Sequence, residues 1–124
     1  MLSYLWDNFV VFVDKAIPGD VINAKIIQKK KDYAHAEIID LLKPSNKRID
    51  SFCEHFGTCG GCKWQNMKYS QQLFYKNQEV YNNLKRIGKI ELPEFEPILG
   101  SEKQLFYRNK MEFGFSNARW MTDA

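Results

Sequence analysis

Apolar and polar positions alternate along the early part of the chain and then change period. Phe9 to Val13 is an uninterrupted run of aromatic and β-branched residues, the composition of a strand. Ile17-Pro18-Gly19-Asp20 closes it, with Pro and Gly in the two central positions of a type II turn. From Val21 the chain alternates, with Ile22, Ala24 and Ile26 on one face. A second alternation places Ala34, Ala36 and Ile38 opposite Tyr33, His35 and Glu37. A period of two predicts two strands of a hairpin, with Lys29-Lys30-Lys31-Asp32 at its tip. Lys43-Pro44-Ser45-Asn46-Lys47 is rich in turn residues and reads as a linker.

The period then lengthens. Leu73, Val80, Leu84 and Ile87 form one stripe of a helix predicted over about 70–87, with Ser70 as its cap and Gly88 as its stop. Pro93 and Pro97 bracket an extended piece. Tyr107, Met111, Phe113 and Phe115 alternate with Arg108, Lys110, Glu112 and Ser116, which predicts a final strand over about 106–117 with one apolar face. Its apolar positions read as core. The predicted fold class is α+β.

Composition narrows the classes. At 124 residues, 44% hydrophobic and 15% aromatic, the chain has the makeup of about one globular domain and not of a disordered or collagen-like sequence. Its longest apolar run is the five residues from Phe9 to Val13, against the roughly 20 that span a bilayer. No membrane partner is expected. Met1 to Trp6 lacks the charged start and cleavage site of a secretory signal, which predicts the cytoplasm. Net charge is +3 overall, yet residues 43–90 carry +6 between two slightly acidic segments.

The three cysteines crowd into that basic island as Cys53-x5-Cys59-x2-Cys62, with Gly60-Gly61 in the last gap. An odd, clustered set without a signal peptide points to metal ligation more than to disulfides. The spacing leaves three readings open: an iron-sulfur cluster with a fourth ligand elsewhere, a Cys3His zinc site using His55, or free structural thiols.

Cys53-Glu54-His55-Phe56-Gly57-Thr58-Cys59-Gly60-Gly61-Cys62-Lys63-Trp64-Gln65, then Tyr69-Ser70-Gln71-Gln72-Leu73 and Tyr107-Arg108-Asn109-Lys110-Met111-Glu112-Phe113, resembles the iron-sulfur RNA (uracil-5-)-methyltransferases. The bacterial 23S rRNA type is the nearest. Val11-Phe12-Val13 with Ile17-Pro18-Gly19-Asp20-Val21 and the Lys-rich hairpin is similar to the TRAM domain of that family, a small OB-like RNA-binding barrel. The resemblance implies an incomplete TRAM domain at 1–46 and the start of an iron-sulfur central domain at 47–124. It implies a [4Fe-4S] cluster on Cys53, Cys59 and Cys62, with the fourth ligand missing from this chain. It also implies ribosomal RNA as partner, with no DNA, and S-adenosylmethionine as cofactor of the parent enzyme only. Neither a glycine-rich cofactor motif nor a spare cysteine nucleophile is present in these 124 residues. The segment is therefore expected to precede the methyltransferase domain and to hold RNA without catalysing methylation, and three strands where an OB-like barrel has five make the expected cut one at both ends.

Candidate RNA contacts are Lys29, Lys30 and Lys31 at the hairpin tip, Arg48, Lys63, Trp64 and Lys68 around the cysteines, and Arg108 and Lys110 on the last strand. Cations interleaved with aromatics suit phosphate neutralisation and base stacking. Lys76, Lys85 and Arg86 are assigned to the helix's solvent face, His35 to the surface, and His55 to packing of the loop. The competing function is a stand-alone nucleic-acid-binding module with a Cys3His zinc site and no catalysis.

Overall fold

The computed structural model describes residues 2–6, 9–110, 112, 115 and 117. Four strands form one sheet: β1 (Leu2–Trp6), β2 (Phe9–Val13), β3 (Val21–Lys29) and β4 (Tyr33–Lys43), in the order β1-β2-β4-β3. β1 pairs antiparallel with β2, and β4 lies parallel to β2 and antiparallel to β3. β1 adds a strand to the three read from the pattern. Among the described residues the sheet is open, with β1 and β3 at its edges, and no pairing between them closes the expected OB-like barrel.

The turn at Ile17–Asp20 forms as its residues require. Asp20 N–H donates to the Ile17 carbonyl at 3.2 Å, and Gly19 takes φ +96, the left-handed value that the third position of a type II turn demands. The hairpin also forms, with Lys30 N–H donating to the Tyr33 carbonyl at 2.8 Å across its basic tip. Register shifts interrupt β3 in three places, between Val21 and Ile22, Asn23 and Ala24, and Ile26 and Gln28. Such bulges twist a strand and re-aim its side chains.

The core is small. Val13, Ala16 and Ala36 form its buried centre, with Val11, Ile22 and Ile38 packed around them. Ala34 and Ala36 face inward and Tyr33 and Glu37 outward, as alternation predicts. His35 is half-buried, its ring 5.5 Å from Phe12 and from Tyr33. The β3 side is less well covered: Ile22 packs, but Ala24 and Ile26 are exposed among the described residues. Ile17 is fully buried beneath the turn, worth roughly 1.5–3 kcal/mol.

Helix α1 (Tyr69–Asn82) continues into a π-helical turn over Asn83–Ile87. It starts one residue before the predicted cap. Lys68 is the capping residue, and its carbonyl receives Gln71 and Gln72 N–H at 2.9 and 3.1 Å. Ser70 lies inside the first turn because the chain already bends at Lys68, whose own N–H is held by the Lys47 carbonyl. Gly88 keeps right-handed geometry and donates five residues back to Asn83; the left-handed turn falls on Lys89, at φ +51. Of the predicted stripe, Leu73 and Leu84 are half-buried while Val80 and Ile87 are exposed. No described helix is long and apolar enough to cross a membrane.

The predicted final strand is not seen among the described residues. Phe106 to Lys110 are irregular and exposed, since an amphipathic segment becomes a strand only where a neighbour takes its backbone hydrogen bonds. Met111, Phe113 and Ser116 lie outside the described residues.

Candidate nucleic-acid interface

The stretch read as a linker is a hydrogen-bonded junction. Ser45 is buried, its N–H donating to Asp20 Oδ1 at 2.9 Å and its hydroxyl to the Pro18 carbonyl at 2.8 Å. Arg48 grips the same aspartate through Nε and Nη2 and also donates to the Lys15 carbonyl at 3.0 Å. From the other side Asn66 donates to the Lys15 carbonyl at 2.8 Å. The Asp20 side chain is 1% exposed. Burial pushes its carboxyl pKa up, but the Arg48 hydrogen bond, the Ile17 and Ser45 N–H groups and the Arg48 charge together bring it below the ordinary value.

Arg48, expected as an RNA contact, is paired with Asp20. Its charge is spent on a buried carboxylate, and a phosphate would have to displace that partner.

Beyond the junction the chain enters the cysteine loop through two crossings. Ile49 N–H donates to the Asn66 carbonyl at 3.0 Å, and Cys53 N–H donates to Gln65 Oε1 at 3.1 Å. Between them Cys53 is half-buried, while Cys59 and Cys62 are exposed free thiols. Gly60, at φ +71, makes the turn between the latter two, and Gly61 N–H donates to Cys59 Sγ at 3.5 Å. Thiols with a backbone N–H aimed at sulfur have the right donor chemistry for a soft metal or cluster. Their placement does not complete a site: among the described residues no three Cys, His, Asp or Glu side chains converge as ligands. His55 is exposed, with its carbonyl accepting Thr58 and Cys59 N–H, and joins no Cys3His zinc site.

A cleft of about 970 Å³ opens beside Cys62, between the loop, the start of α1 and the segment before Lys110. Four cations line it: Lys63, Lys76, Lys103 and Arg108. No described lining residue is a carboxylate. Trp64, Phe106 and Tyr107 contribute aromatic surface. Lys76 Nζ stands 5.8 Å from the centre of the Trp64 ring, within cation–π range.

The cleft brings together Lys63, Trp64 and Arg108 from the predicted set. Lys29, Lys30 and Lys31 are exposed at the hairpin tip. Lys68 is exposed at the start of the helix, and Lys110 pairs with Glu112 at 3.3 Å in full solvent. Lys76 and Lys103 are the contributions that sequence reasoning missed. Lys76 follows Gln72 by one helical turn, and Gln72 ties α1 to the Trp64 carbonyl, a contact that the helical period by itself does not announce.

No family model matches the chain. It is 54% identical over 117 residues to an uncharacterized RNA methyltransferase of Bacteroides thetaiotaomicron, an alignment that covers 94% of this chain and 26% of that protein. An uncharacterized RNA methyltransferase of Porphyromonas gingivalis is 47% identical over 115 residues, covering 93% of this chain and 25% of the relative. One from Thermotoga maritima is 37% identical over 119 residues, covering 95% and 26%. The chain is thus homologous to proteins named RNA methyltransferases, and it spans about a quarter of the length of the curated relatives it matches.

Proposed function

We propose that this chain is the RNA-holding segment of an S-adenosylmethionine-dependent RNA (uracil-5-)-methyltransferase that acts on ribosomal RNA in the cytoplasm. The 54% identity to a protein named for RNA methylation carries the reading. The cationic, aromatic cleft beside the cysteine loop supports its RNA-holding part. In the chemistry proposed, uracil C5 becomes nucleophilic only after a thiolate adds at C6. That thiolate and the cofactor site are assigned to the parent enzyme and not to these residues. The open sheet is assigned to a TRAM-like unit.

The [4Fe-4S] cluster enters the proposal as the ligand that gathers Cys53, Cys59 and Cys62, together with a donor from outside this chain. Metal binding and ordering of the loop would then be one event. Two measurements test the proposal on protein expressed from the complete reading frame. Nucleoside mass spectrometry of ribosomal RNA should show 5-methyluridine lost when the gene is deleted and restored when it is returned; an unchanged level rejects the activity. Iron and acid-labile sulfide should accompany the anaerobically purified protein, and zinc in their place rejects the cluster in favour of the zinc-module alternative.

A further inference from the structure

We infer that Gln65 and Asn66 are positioning residues for Cys53: they fix this cysteine to the junction, while the tip that carries Cys59 and Cys62 is bonded chiefly to itself. The inference rests on the metal-binding reading of the three thiols and gives them unequal parts, one anchored ligand and two carried by a loop that closes on it.

The anchoring starts in the chain's own pairing. Arg48 and Met67 form an antiparallel bridge, flanked by Ile49 N–H on the Asn66 carbonyl at 3.0 Å and Lys68 N–H on the Lys47 carbonyl at 2.9 Å. Running on from Ile49, the chain brings Cys53 to Gln65, whose side-chain Oε1 accepts the Cys53 N–H at 3.1 Å. The next residue fastens this pair to the sheet. Asn66 is 4% exposed, and its amide donates to the Lys15 carbonyl at 2.8 Å, the oxygen that Arg48 Nη2 also reaches while clasping Asp20. Cys53 is thus tied through Gln65 and Asn66 to a buried ion pair, by bonds made wholly within this chain.

The tip is held differently. Phe56 N–H donates to the Cys53 carbonyl at 3.0 Å, Cys59 N–H to the His55 carbonyl at 3.1 Å, and Gly61 N–H to Cys59 Sγ at 3.5 Å, all inside the loop. Among the described residues its ties outward are the Lys15 stem, which a Cβ added at Gly57 would meet at 2.7 Å, and a bond of 3.4 Å from Arg108 to the Gly61 carbonyl. The first is a packing contact, and the second is long for a hydrogen bond. Gathering three thiolates on one centre therefore moves the tip and leaves Cys53 in place.

The test uses protein from the complete reading frame. Metal is removed with a chelator, and alkylation of each cysteine by iodoacetamide is followed by mass spectrometry. Gln65→Met keeps the length of the side chain and removes its acceptor oxygen. Local opening should then speed Cys53 alkylation roughly fivefold and leave Cys59 and Cys62 within about twofold of their own rates. Amide hydrogen exchange of the protein as purified, before chelation, is the second readout. The peptide over Cys53 should exchange faster in Gln65→Met, and at the unsubstituted rate in Gln65→Glu, which retains an acceptor. Equal acceleration of all three cysteines, or no change at Cys53 in both readouts, overturns the positioning role. Metal analysis of the same preparation separates the two claims: selective release of Cys53 in protein that purifies without metal keeps the positioning and rejects the metal reading.

Discussion

Arg48 and Arg108 look alike as sequence, each a cation in a basic, aromatic neighbourhood, yet the structure gives them opposite employment. Arg48 is 20% exposed at its side chain and clasps a carboxylate that is almost wholly buried. Arg108 is exposed, reaches the Gly61 carbonyl, and lines a cleft with three lysines. The junction pairs its charges from within, whereas the cleft leaves its charge for something from outside. Counting charges along a chain therefore overstates the cations available to a ligand, because a buried carboxylate far away in sequence can claim one of them.

The largest effect that separates the two regions is on folding. Arg48→Ala leaves Asp20 buried beside two backbone donors without its counter-charge, and it should cost about 3–5 kcal/mol in urea unfolding. Lys63→Ala, in the cleft, should stay within about 0.5 kcal/mol. Equal losses would mean that the junction holds no more structure than the surface does.

Gly19→Val sharpens the same contrast from the backbone side. The turn holds this residue at φ +96, and an added Cβ would lie 2.8 Å from Ser45 Oγ, the hydroxyl that bonds Pro18. A loss of about 2 kcal/mol is expected from the forced left-handed conformation alone. Refolding of the variant with unchanged stability would show that Ser45 and the turn are not coupled.

Acid should loosen the junction before it touches the cleft. Asp20 has a folded pKa below its ordinary 3.8; the contribution is therefore full above that value and is lost as pH falls through the lower, folded one. Stability measured from pH 5 downward should drop, and Arg48→Ala should flatten that drop because it removes the main partner. A drop of the same size in the variant would assign acid sensitivity to other carboxylates.

The smallest effect is on salt dependence. Lys63→Ala should lower the slope of RNA affinity against salt by about 0.7, and Arg48→Gln, which removes a cation already paired with Asp20, should leave it nearly unchanged in the folded variant. If both lower it equally, Arg48 faces phosphate after all.

Local pattern was enough for the elements whose reasons are local. Alternation placed Ala34, Ala36 and Ile38 on the inner face of β4, since successive side chains of a strand must point to opposite sides. Pro18-Gly19 specified its turn, because Gly reaches the required φ without a Cβ clash. The body of the helix followed from its period, although its cap shifted to Lys68 once Lys47 had taken that residue's N–H.

What only the tertiary structure decided depends on residues far apart in the chain. The sheet order β1-β2-β4-β3 places β2 beside β4 and not beside the strand that follows it. Asp20 claims Arg48 from 28 residues away, and α1 carries Lys76 back over Trp64. The alternating segment after Tyr107 forms no strand at Arg108 to Lys110, because alternation prepares a face and supplies no neighbour for its backbone. A sequence sets the preferences of each short stretch. Which charge is neutralised and which is left facing a cleft follows from burial and pairing, and those exist only once distant stretches have met.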